Sequence, residues 1–192
     1  MYLSHKIENL TNKKLKFIHT PKCGGTYVAS ILSKLKISNQ DHNQALPNED
    51  TTTFTVIKCP VARFESLLNY RLSEKTFRND WPKRLRYVYY NKKLSLNYIV
   101  SKMTNSEILG FRPFNTLTYW TKNINIIITM ENLPKILNYF NFDIDLSSFK
   151  KLNVSTKTRG KFNNKTINRI KRLFINDMVL YNKILESSNL NI

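Results

Sequence analysis

The sequence predicts an α/β protein with a small central parallel sheet flanked by helices. Three observations carry this. Lys16–His19, Phe54–Lys58 and Ile124–Thr129 are short apolar runs with the length of buried strands. Each leads through a turn or a proline into residues with helical spacing. Strands that alternate with helices pair in parallel through crossovers, and their ligands bind beyond the carboxyl ends of the strands.

The elements follow in order. A strand over Lys16–His19 is stopped by Pro21, which cannot donate to a sheet ladder, and a helix runs from Gly25 to Leu35. Ser38–Thr52 is polar and reads as a connection. The strand Phe54–Lys58 meets Pro60, which is tolerated in a first helical turn, and a helix continues over Val61–Leu72. The aromatic, basic stretch Phe77–Thr104 reads as two helices. The strand Ile124–Thr129 precedes a helix opened by Pro134, Phe142–Lys161 reads as irregular, and Asn164–Glu186 as one long helix. With 192 residues, no repeat and no low-complexity linker, residues 1–192 are expected to form a single domain.

The first strand-to-helix junction carries the chemistry. In Phe17-Ile18-His19-Thr20-Pro21-Lys22-Cys23-Gly24-Gly25-Thr26-Tyr27, the two glycines let successive N–H groups face one point at a helix start. Lys22 and the Thr26 hydroxyl stand beside them, which makes an anion site. It is not the triphosphatase loop G-x-x-x-x-G-K-[ST], because Lys22 precedes the glycines and no Gly-Lys-Ser/Thr run follows. A second junction, Lys58-Cys59-Pro60-Val61-Ala62-Arg63-Phe64-Glu65-Ser66, again joins a cation at a strand end to a helix carrying a hydroxyl.

The pair of junctions resembles the sulfotransferases that use 3′-phosphoadenosine 5′-phosphosulfate (PAPS), most closely the carbohydrate, membrane-type group. Pro21-Lys22-Cys23-Gly24-Gly25-Thr26 is similar to their 5′-phosphosulfate loop, and the Lys58–Ser66 junction to their 3′-phosphate motif. Weaker likenesses follow in the same order at Phe111–Tyr119, Ile124–Thr129 with Met130-Glu131-Asn132-Leu133, Leu152-Asn153-Val154-Ser155 and the closing helix Thr166–Leu185 with Asp177 and Tyr181. The resemblance implies a three-layer fold of the P-loop type and transfer of a sulfuryl group to an acceptor hydroxyl or amine, with PAPS as co-substrate.

It also implies roles. Lys22 would meet the phosphosulfate and its leaving oxygen, and the loop Lys22–Tyr27, Cys23 included, would cradle the 5′-phosphate through the N–H groups of Gly24, Gly25, Thr26 and Tyr27. Lys58 and Ser66 would take the 3′-phosphate; a lysine stands where the family has arginine, so two-pronged geometry is lost. Arg159-Gly160-Lys161 resembles the basic loop that closes over that phosphate. Arg63 is read as a structural partner for a carboxylate such as Glu131. His42 is the expected general base, worth roughly 10²–10⁴ in rate, with Asp41 and Glu49 as fallbacks and His19 read as a packed residue.

Composition sets further bounds. A net charge of +18 attracts polyanions, so an anionic glycan acceptor is expected, with nucleic acid held only through nonspecific charge. A lysine- and asparagine-rich composition can also follow from coding bias. Two cysteines, Cys23 and Cys59, make no disulfide framework, no Cys/His grouping has zinc spacing, and no metal is expected. No apolar run approaches the ~20 residues that span a bilayer. Met1–Lys16 has no secretion-signal core, so a cytoplasmic location is expected unless a targeting segment lies outside this sequence. The alternative function is a polyanion- or nucleic-acid-binding protein on a degenerate sulfotransferase fold. A P-loop phosphotransferase is disfavoured by the missing Gly-Lys-Ser/Thr run.

Overall fold

Four strands align in parallel in the order β2-β1-β3-β4 in the computed structural model, which describes residues 14–40, 50–73, 81–91, 93–111, 116–139, 141–142 and 159–187. The strands are β1 (Lys14–Ile18), β2 (Ser38–Gln40), β3 (Thr51–Ile57) and β4 (Ile126–Thr129). The chain divides into two units that interleave in sequence: Met1–Lys58 with Thr116–Asn153 and Asn176–Ile192, and Cys59–Asn115 with Val154–Ile175.

The first unit holds the whole sheet. Its register is Phe17 opposite Phe54 and Phe54 opposite Ile126, so alternate residues of all three strands share a face. On one face Phe17, Phe54, Val56, Ile126 and Ile128 pack against Val28, Ile31 and Leu32 of α1 (Gly25–Lys34) and Leu133, Ile136 and Leu137 of α7 (Leu133–Tyr139). On the other face Ile57 and Ile127 pack against Leu117 of α6 (Leu117–Trp120) and Leu180 and Ile184 of α9 (Ile175–Ser187). Helices therefore cover both faces, as a parallel sheet of apolar strands requires.

The second unit is helical: α2 (Pro60–Ser73), α3 (Tyr87–Tyr90), α4 (Leu96–Lys102), α5 (Asn105–Leu109) and α8 (Asn164–Leu173). Phe64, Leu67, Leu68, Trp81, Leu96, Ile99, Phe111, Phe162, Ile170 and Phe174 form its core. Arginines gather the carbonyls that end the short helices. Arg159 Nη1 donates to Val88 O and Asn91 O, and Arg84 Nη1 to Lys102 O. Arg169 donates to Val100 O, Met103 O and Asn105 Oδ1.

Several expectations change. A fourth parallel strand, β2, lies where the sequence reads as connection; it is a short polar edge strand with no apolar signal. The middle stretch includes α3 and α4 with a 3₁₀ turn at Lys83–Leu85, and α5 and α6 are additional. The long closing helix is two, α8 and α9, broken at Phe174 (φ −108°, ψ 38°). No helix among the described residues is long and apolar enough to cross a membrane.

Candidate anion site at the ends of β1 and β3

Strand order makes β1 and β3 the switch point of the sheet. The chain leaves β1 through α1 to β2 on one side, whereas β4 lies on the other side of β3. Connections that diverge this way open a crevice at the strands' carboxyl ends. Two lysines stand there, Lys22 in the loop after β1 and Lys58 directly after β3.

The loop is built onto the sheet. Thr20 and Thr55 are buried with their hydroxyl oxygens 2.8 Å apart, and the Thr55 hydroxyl donates to Ile18 O at 2.7 Å, which ties the loop's start to β3. Cys23 is buried with Ile57, Leu117 and Ile184, a packed anchor for the loop's centre. The imidazole of His19 covers the α-carbon of Gly25 so closely that a Cβ there would fall on the ring. At Gly24 (φ +84°) a Cβ would collide with the Met130 methyl. Both glycines are thus required, the second by a neighbour rather than by its own backbone angle.

Helix α1 begins without a side-chain cap. The Tyr27 and Val28 N–H groups donate to Gly24 O at 3.0 and 3.1 Å, and Cys23 N–H to Thr20 O at 3.3 Å. Among the described residues, the N–H groups of Gly24, Gly25 and Thr26 have no hydrogen-bond partner. Three donors at the positive end of a ten-residue helix favour an anion. This changes the expectation for Tyr27, whose N–H is already spent within the turn. Thr26 is exposed, with its hydroxyl on the first turn.

Lys22 carries two costs at once. Its backbone is left-handed (φ +62°), a conformation that disfavours a side chain. Burial lowers its ammonium pKa below the usual lysine value, and the positive charge of Lys58 lowers it further. Two like charges are thus brought near one helix start, one of them partly desolvated.

The other site residues lie in the second unit. Ser66 is half-buried on α2, flanked by two residues that hold the segment 159–162. Glu65 accepts from the Phe162 N–H at 3.0 Å and pairs with Lys161 Nζ at 3.0 Å; Asn69 Oδ1 accepts from the Arg159 N–H at 3.1 Å. Ser66 and Arg159-Gly160-Lys161 therefore share one locality, although Arg159 also serves α3 and Lys161 has a carboxylate partner. Arg63 is wholly buried on α2, which fits a structural role. The expected base His42, with Asp41 and Glu49, lies outside the described residues.

Sequence reasoning passed over His19 as a partner of Gly25 and the Thr20–Thr55 tie, since both depend on which strands are neighbours. Neither cysteine forms a disulfide, and no cluster of His, Cys, Asp or Glu among the described residues could hold a metal ion. Compared with protein-family models, curated proteins and solved structures, the chain matches none.

Proposed function

We propose that the protein is a PAPS-dependent sulfotransferase of the P-loop type, acting on an acceptor hydroxyl or amine, with a carbohydrate as the expected acceptor. One observation carries the reading: Lys22 and Lys58 follow the carboxyl ends of β1 and β3, beside three N–H groups that have no partner among the described residues. The donor's 5′-phosphate sits on the N–H groups of Gly24, Gly25 and Thr26. Lys22 faces the oxygen that bridges phosphate and sulfur, and Lys58 takes the 3′-phosphate. Ser66 and Arg159-Gly160-Lys161 carry the 3′-phosphate role by resemblance.

In the reaction the acceptor oxygen forms a bond to sulfur as the bond from sulfur to the bridging oxygen breaks. The acceptor proton passes to a base, for which His42 is proposed, and 3′-phosphoadenosine 5′-phosphate leaves. Charge grows on the bridging oxygen in the transition state. A preorganised Lys22 ammonium stabilises that charge more than the ground state, which is what speeds the step. Proximity and in-line alignment supply much of the remainder.

The test is transfer of radiolabelled sulfate from PAPS to a panel of glycans, peptides and small hydroxylated compounds, with and without chelator. Labelled product that disappears in Lys22→Met supports the reading. No product from any acceptor, together with stabilisation by ATP and Mg²⁺ but not by 3′-phosphoadenosine 5′-phosphate, contradicts it. The second reading, polyanion binding without catalysis, is favoured by the excess charge and predicts weak responses to both nucleotides that vanish in salt.

A further inference from the structure

Charge is segregated between the two units. The unit comprising residues 59–115 and 154–175 holds 18 of the lysines and arginines and four acidic residues, a net +14 of the chain's +18. All nine arginines lie in it. Coding bias acting on the whole chain does not partition charge this way. The same unit exposes Tyr87, Tyr90 and Tyr98, at 45%, 59% and 40%.

These tyrosines form one patch. The Tyr98 phenol is the neighbour that most raises the Tyr87 pKa, and Tyr90 lies one turn along α3 from Tyr87. Arg159 joins α3 to the start of α4: its guanidinium donates to Val88 O and Asn91 O, and its carbonyl accepts from the Leu96 N–H. Lys102 Nζ lies 5.3 Å from the centre of the Tyr98 ring. Lys83 and Lys93 are exposed on the neighbouring turns. Arg84, Arg159 and Arg169 are engaged with protein carbonyls and carboxylate or amide oxygens, so lysines supply much of the outward charge.

We propose that the α3–α4 face around Tyr87, Tyr90, Tyr98 and Lys102 docks an anionic polysaccharide, the acceptor chain of the reaction proposed above. The C–H face of a pyranose covers a phenol ring, whose π-cloud is its negative face, and phenol hydroxyls exchange hydrogen bonds with sugar hydroxyls. Lysines pair with carboxylates or sulfates as point charges and demand no fixed geometry. A nucleic-acid strand fits less well. It stacks bases on open aromatic faces and is read by free guanidinium groups, whereas Lys102 lies over the Tyr98 ring and these arginines hold helix ends.

The test measures binding of the full chain to unsulfated chondroitin, a carboxylated polysaccharide, and to oligothymidylate, at low and physiological salt. Tyr87→Ala with Tyr98→Ala, and Tyr90→Ala separately, are expected to weaken chondroitin binding about tenfold, and Lys102→Gln to flatten its salt dependence. Unchanged affinity in the tyrosine variants, or tighter binding of oligothymidylate than of chondroitin, overturns the proposal. Stabilisation by 3′-phosphoadenosine 5′-phosphate is read on the same samples. Its absence in the wild-type chain contradicts the enzymatic reading, while the chondroitin result decides the surface.

Discussion

The imidazole of His19 lies over the α-carbon of Gly25, occupying the space where any other residue would place its Cβ. His19 follows β1, and its ring stacks on Phe17 of the sheet's core face with ring centres 6.1 Å apart. The start of α1 is held in place by this contact. Gly25→Ala is expected to destabilise the fold by about 1–3 kcal/mol, the usual cost of overpacking, and to weaken nucleotide binding. His19→Ala in the same chain should restore much of the loss. Denaturant melts of the single and double variants measure the coupling.

Lys22 should behave as a residue kept at the expense of stability. Its pKa is lowered in the folded chain, so the unfolded chain holds that proton to higher pH. Stability from this residue therefore rises with pH between the lowered value and 10.5, and at neutral pH its charge is a cost. Lys22→Met is expected to melt no lower than the wild type while losing stabilisation by 3′-phosphoadenosine 5′-phosphate. A bound anion raises the lysine's pKa again, so nucleotide affinity should fall as pH rises through the lowered value, with proton uptake on binding. Calorimetry in buffers of different ionisation enthalpy reads that proton.

Arg169 joins α8 to the end of α4 through Val100 O, Met103 O and Asn105 Oδ1. Hydrogen bonds to a charged group contribute about 1.5–3 kcal/mol each where the partner is left unsatisfied. Arg169→Ala is expected to lower stability by about 2 kcal/mol or more, and Arg169→Lys to recover only part, because one ammonium does not reproduce the fork. Chemical denaturation gives both values.

Asp177 is buried at 1% and accepts from the Leu117 N–H at 2.7 Å and the Thr118 N–H at 3.3 Å. It thus caps α6 from a residue 60 positions away. Asp177→Ala should cost about 1–3 kcal/mol through the two orphaned donors, with Asp177→Asn intermediate. Amide exchange at Leu117 and Thr118 provides the local readout.

What could be read from the chain follows the range of the forces involved. The β1 loop and the strands β3 and β4 are legible because consecutive residues determine them: an apolar run, a proline, two glycines. Strand β2 was not legible, since Ser38-Asn39-Gln40 at a sheet edge needs only backbone pairing and gives no apolar signal. The break at Phe174 is hidden because apolar residues continue through it, and the two units are hidden because each collects distant segments. At the site, Lys22 and the glycines stand out locally. The Lys22–Lys58 repulsion, the Thr20–Thr55 tie and the cap by Asp177 arise only once strand order is known.

The central claim is that the loop after β1, with Lys58, binds a bis-phosphorylated nucleotide without a metal. Calorimetric titration of the full chain with 3′-phosphoadenosine 5′-phosphate in chelator tests it most directly. Saturable binding at one site, lost in Lys22→Met and weakened in Lys58→Ala, is the predicted result. Absence of binding, or equal affinity in the Lys22→Met chain, would contradict it.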